Sequence, residues 1–186
     1  MPNPTNPRLR ANATTTDYTT TKSYKEELRA TYQPTTSAQR LFTQASTPIQ
    51  TSRQQQAVAA EEAMQRTLDD LLEFMDFPPD WDSYNSKQPS SDAIFIAADL
   101  LITAHKALGK LIGERIEPQL ITPIPNGGIE IDWGSRHTKL IIHVSPSGTL
   151  DYAYIDRQGG KHAAEEIHNT SAEKVLQMIA KVLFSA

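Results

Sequence analysis

Glu130 and Asp132 stand two residues apart in the run Ile129-Glu130-Ile131-Asp132-Trp133, so a strand here carries both carboxylates on one face. Lys139 and His143 follow after a short turn and would face them from a partner strand. Two acids beside a lysine on a sheet are the residue types that a metal-dependent nuclease or phosphoesterase needs. The carboxylates hold a cation, and the cation polarises a phosphate. The solvent face of any antiparallel sheet also shows a polar residue at every second position, and that plainer reading explains the same four side chains. No acid-x-Lys triplet follows a second acid, which weighs toward the plain reading. Glu130, Asp132 and Lys139 therefore stand as the catalytic candidates of a rival reading.

The other reactive residue types assemble less. The absence of cysteine removes disulfides, thiolate catalysis and cysteine-ligated zinc together. The histidines at 105, 137, 143, 162 and 168 include no i, i+4 helical pair and no His-x-His strand pair that would set two imidazoles on one ion. They read as surface residues. Pro125-Asn126-Gly127-Gly128 leads into a strand rather than a helix N-terminus, so it reads as a hairpin turn and not as a phosphate loop. No serine sits in a Gly-x-Ser-x-Gly elbow. Neither a metal nor a cofactor is implied.

Residue types suited to binding are easier to find. Trp81 lies between Asp80 and Asp82 among turn formers, with Tyr84 close behind. A large ring there either plugs the junction of the helices and the sheet or anchors a partner. Nearer the N-terminus, Tyr24, Leu28 and Tyr32 recur every four residues, so a helix over 23–32 sets them on one face. Leu41 and Phe42 offer a second pair within 37–45. Both patches are shorter than the ~12–15 residues that hold a helix alone in water, so each would fold on a partner surface.

Composition separates these two regions. Residues 1–50 form a polar Thr/Pro-rich basic arm, with twelve threonines and only scattered apolar side chains. All eight glycines lie at 109 or later. Such a stretch buries too little apolar surface to offset the entropy of ordering its backbone, so it is expected to be disordered when free. Residues 1–53 carry a net charge of +4 and the remainder −8, which together give the net −4. A basic arm on an acidic body suits an anionic partner, nucleic acid included, although its basic residues are spaced rather than clustered.

Residues 51–186 are expected to form one compact α+β domain. Met64, Leu68, Leu71, Leu72 and Met75 make a helical stripe within 51–75, ended by Pro78 and Pro79. Ser90 or Ser91 caps a second helix running to 112, with Ile94, Ala97, Ala98, Leu101, Ala104, Leu108 and Leu111 on its buried side. The period then changes to two. Ile129, Ile131 and Trp133, then Leu140, Ile142 and Val144, then Leu150, Tyr152 and Tyr154 alternate with polar or smaller residues, which predicts an antiparallel meander. Pro123 and Pro125 confine residues 120–124 to an edge or a non-strand. A fourth strand falls near 161–167, so three to four strands are expected. A capping box, Thr170-Ser171-Ala172-Glu173, starts a last helix carrying Val175, Ile179, Val182 and Leu183.

Three stretches of residues 68–133 carry a resemblance: Pro79-Asp80-Trp81-Asp82-Ser83-Tyr84, then Pro89-Ser90, then Pro123-Ile124-Pro125-Asn126-Gly127-Gly128-Ile129-Glu130-Ile131-Asp132-Trp133. They resemble a group of small bacterial and phage proteins with a Pro-x-x-Trp-Asp-x-Tyr loop and a Pro-x-Pro-x-Gly-Gly-Ile-x-Leu-x-Trp hairpin, whose activity is not established. The sequence departs from that pattern at Asn126, where Asp is expected, and at Asn85-Ser86, where Gly-Ala is expected. The resemblance implies the fold, a prokaryotic or mobile-element setting and an accessory role such as toxin neutralisation or defence; it implies no mechanism.

The first expectation is thus a non-enzymatic protein–protein interaction module, binding through Tyr24, Leu28, Tyr32, Leu41, Phe42, Trp81 and Tyr84. The rivals are the metal-dependent nuclease and a nucleic-acid accessory protein bound through the basic arm. No secretory h-region and no run of ~20 apolar residues is present, so a cytoplasmic setting away from the membrane is expected. Oligomeric state is left open.

Overall fold

The computed structural model describes residues 48–112, 116–135, 137–157 and 163–184. The arm anchors Tyr24, Leu28, Tyr32, Leu41 and Phe42 lie outside them, as does His162. Helix α1 (Pro48–Glu73) begins three residues earlier than the sequence pattern placed it, with a proline at its first position, where the missing N–H is no loss. Residues 54–59 of α1 are exposed, whereas Ala63, Met64, Leu68, Leu71 and Leu72 are buried. The helix tightens into a 3-10 turn, Phe74–Asp76, and Phe77 turns extended ahead of Pro78. The proline ring crowds the helical conformation of the residue before it.

Helix α2 (Ser91–Ile112) settles the choice of cap. Ser90 Oγ accepts from Ala93 N at 3.1 Å and Ser90 O accepts from Ile94 N at 3.1 Å, so Ser90 is the N-cap. Its predicted stripe from Ile94 to Leu108 is buried, packing against α1 on one side and the sheet on the other.

Among the described residues five strands follow, not three to four: β1 (Leu120–Pro123), β2 (Ile129–Gly134), β3 (Thr138–Val144), β4 (Leu150–Asp156) and β5 (Ala163–Thr170). They form one antiparallel meander in the order β1-β2-β3-β4-β5. The additional strand is β1, held to the edge by the proline at its end. Ile131 stands opposite Ile142, and Ile142 opposite Tyr152, so one face is apolar across β2, β3 and β4. Helix α3 (Ala172–Phe184) and α2 cover that face. Val175, Met178, Ile179 and Val182 of α3 are buried there.

The cap of α3 corrects the predicted box. Ser171, not Thr170, caps the helix: its Oγ accepts from Lys174 N at 3.3 Å and its carbonyl from Val175 N at 3.1 Å. Thr170 is still in β5, paired with Leu150, and is not free to cap. The class is α+β. No helix among the described residues is long and apolar enough to cross a membrane.

Candidate functional site

Between the 3-10 turn and α2 the chain makes a loop whose backbone departs three times from ordinary geometry. Asp80, Ser83 and Asn85 have φ of 62°, 64° and 63°. Left-handed backbone away from glycine is held only where surrounding bonds impose it. Those bonds are present. Asp80 Oδ1 accepts from Asn85 N at 2.5 Å, Asp80 N donates to Ser86 O at 2.8 Å, and Ser83 N donates to Asp80 O at 3.0 Å. Asp82 accepts from Tyr84 N through Oδ1 at 2.9 Å and from Ser86 Oγ through Oδ2 at 2.6 Å. These bonds to the ionised form, the Ser86 hydroxyl first and the Tyr84 amide next, hold the Asp82 carboxyl below its ordinary pKa of 3.8.

The loop is also pinned to the sheet. Lys87 N donates to Pro125 O and Ser90 N to Gly127 O, both at 2.9 Å, and Ser90 Oγ donates to Pro146 O at 2.7 Å. Gln88 Nε2 donates back to Met75 O at 3.2 Å. Gly127 is indispensable to the seam, because its φ is +92° and a Cβ on it would lie 2.9 Å from Gln88 O. The turn it belongs to closes as the sequence predicted, with Gly127 N donating to Ile124 O and Gly128 N to Asn126 Oδ1. Two stretches far apart in sequence, 79–90 and 123–128, therefore meet as one unit.

The two loop aromatics take different roles. Trp81 is half-buried, 5.6 Å from the Phe77 ring, and its indole donates to Lys87 O at 3.2 Å. Phe77 in turn meets Phe74 edge-on at 5.3 Å. Trp81 thus packs the loop from within. Tyr84 is 88% exposed, at the tip.

The acid–lysine candidates lie elsewhere, on the sheet face away from α2 and α3. Glu130 stands opposite His143 and pairs with its Nε2 at 2.8 Å; Asp132 pairs with Lys139 Nζ at 2.9 Å. The two acids are thus each taken by a separate base. Asp132 does not belong to a solvated face, however: it is 5% exposed, and its Oδ1 has no hydrogen-bond partner. His105 corrects the surface reading of the histidines. It sits mostly buried between α1 and α2 and contacts Glu61 Oε2 at 3.1 Å. Among the described residues no three His, Asp or Glu side chains gather as a group that could hold a metal ion.

A further cluster forms around two core tyrosines of β4. Tyr152 OH donates to Glu165 Oε1 at 3.0 Å, Tyr154 OH to Asp156 Oδ2 at 3.4 Å, and Lys181 Nζ lies 4.1 Å from the centre of the Tyr154 ring. Burial, then the neighbouring carboxylates, push both phenols above their ordinary pKa of 10.0. Alternation marked these tyrosines as core, but only the pairing of β4 with β5 brings Glu165 to them.

No family model, curated protein or solved structure matches this chain.

Proposed function

We propose that the chain is a non-enzymatic protein–protein interaction module that presents Tyr84 to a partner protein. One observation carries this reading: a largely exposed aromatic at the tip of a loop with three left-handed, non-glycine residues, bonded internally and to two sheet turns. Tyrosine is enriched among residues that dominate binding energy, and a loop ordered beforehand loses little entropy on association. Trp81 serves the presentation from beneath. Residues 1–50 bind the same partner, folding through Tyr24, Leu28, Tyr32, Leu41 and Phe42. The resemblance to small bacterial and phage proteins makes the setting that of a toxin-neutralising or defence-associated accessory subunit. The test is capture from native cells, identified by mass spectrometry, with the wild type, Tyr84→Ala and a deletion of residues 1–50. A protein captured by the wild type and lost from both variants, at an unchanged thermal midpoint, supports the reading; equal capture by all three ends it.

The metal-dependent nuclease or phosphoesterase reading keeps one observation in its favour, the buried, unbonded Oδ1 of Asp132 beside Lys139. It requires a divalent-cation-dependent cleavage that Glu130→Gln and Asp132→Asn each abolish. Turnover unaffected by both substitutions removes it.

A further inference from the structure

The two edges of the sheet are not alike. β1 has four residues and ends in a proline, which cannot donate to a further strand. β5 has eight, and six of them are exposed: Ala163, Ala164, Glu165, Glu166, His168 and Asn169. It pairs regularly with β4 from Ala163 opposite Asp156 to Ile167 opposite Tyr152. A register shift then intervenes before Thr170 meets Leu150, where Asn169 has φ 51° and its N–H bonds Asp151 Oδ1 at 2.7 Å. The regular run 163–167 therefore turns its alternate N–H and C=O groups outward with no strand of the described residues beside them, which is a template for an added strand.

The side chains on that run select what can be added. Glu165 lies on the helix-covered face, steadied by Tyr152, and Glu166 lies on the opposite face, 3.5 Å from His168 Nε2. A second copy pairing antiparallel about the middle of this run would set Glu165 opposite Glu165 of that copy, and like charges directly opposite are destabilising. In that register the edge repels itself, and its two carboxylates favour a strand of the other sign. On the helix-covered face Ile167 is half-buried two residues on. A strand added antiparallel meets Ile167, Glu166 and Glu165 in that order along its own direction.

We propose that the outer edge of β5 accepts an extended segment of a partner protein bearing an apolar residue followed by two basic residues, as a sixth strand. This rests on the interaction-module reading and gives it a second contact surface with its own chemistry. Main-chain bonds supply the attachment, and the two carboxylates, one on each face, supply the register and the preference for positive charge.

The test uses the full chain and nine-residue peptides centred on Val-Lys-Arg, on Val-Glu-Asp, and on Val-Lys-Arg with alternate backbone nitrogens methylated. Binding is followed by fluorescence anisotropy and by amide chemical shifts. The basic peptide should bind with shifts concentrated at residues 163–167, and the acidic and methylated peptides should not. Glu166→Lys, an exposed position whose substitution leaves the thermal midpoint in place, should weaken the basic peptide about tenfold through loss of one cross-strand attraction and gain of a repulsion. No binding, equal binding of the three peptides, indifference to Glu166→Lys, or shifts mapping away from β5 would each overturn the edge site. So would a concentration-dependent dimer that protects the β5 amides. None of these results bears on capture through Tyr84, which is read from its own variant.

Discussion

Asp82 holds the loop with both carboxylate oxygens, one on the Tyr84 amide and one on the Ser86 hydroxyl. Its pKa is lowered by those bonds, first by the Ser86 hydroxyl. The sign follows directly: a carboxyl held below its unfolded value of 3.8 stabilises the loop fully above that pH, and the contribution disappears as pH falls through the lower folded value. Amide protection at residues 83–86, taken against the intrinsic exchange rate at each pH, should therefore hold from neutral pH downward and fall only below pH 3.8, and Asp82→Asn should remove that acid dependence. Protection already lost well above pH 3.8 would assign the loop's order to other groups. Tyr84 itself contacts little, so its loss belongs with surface substitutions, within about 0.5 kcal/mol of wild-type stability. The tip residue is thus one whose removal leaves folding in place, so Tyr84→Ala tests the proposed recognition by itself.

Among the elements, the seam between loop and hairpin turn hangs on Gly127. An alanine there must adopt φ near +92° and bring its Cβ against Gln88 O, so Gly127→Ala should destabilise the domain by about 2 kcal/mol and free the Lys87 and Ser90 amides to exchange. A neutral outcome in chemical denaturation would show that the seam yields. At the other end of the sheet, Tyr152 and Tyr154 carry raised pKa values, caused first by burial and then by Glu165 and Asp156 respectively. A phenol with a raised folded pKa contributes stability in full below its unfolded pKa of 10.0, and loses it as pH climbs through the folded value. Tyrosinate absorbance should show two residues titrating late, and Glu165→Gln should bring Tyr152 back toward 10.0 while the domain stays folded. The elements themselves were legible in the residues because helix stripes and strand alternation are local: Met64 to Leu72, Ile94 to Leu108 and the Ile129, Leu140 and Leu150 strands all bury the residues the periods select. What was not legible depended on tertiary pairing. Asp132 looks like a solvent residue until β1 and β3 close on either side of it, Ser171 displaces Thr170 as cap because β5 runs longer than its sequence suggests, and the left-handed Asp80, Ser83 and Asn85 follow from bonds reaching as far as Pro125.

Across the whole described domain the buried side chains run from Ala63 and Met64 in α1, through Ile94 and Leu101 in α2 and Ile131, Leu140 and Ile142 in the sheet, to Ile179 and Val182 in α3. Helix α1 packs chiefly against α2 and the 3-10 turn, and α2 packs on the sheet. If this is one cooperative interior, damage in α1 must be felt in β2. Leu71 is wholly inaccessible to solvent, so Leu71→Ala should cost about 3 kcal/mol, which corresponds to a fall of roughly 10 °C in the thermal midpoint of a domain this size. Trp133, buried in β2, is the reporter, made unique by Trp81→Phe, which keeps a ring against Phe77. Its fluorescence and the far-ultraviolet circular dichroism should move down together in the variant, with coincident transitions. Helix signal lost well before the Trp133 signal would separate α1 from the sheet. The strained loop that joins them would then be a hinge rather than a fixed mount for Tyr84, and the entropic advantage claimed for its binding would disappear with it.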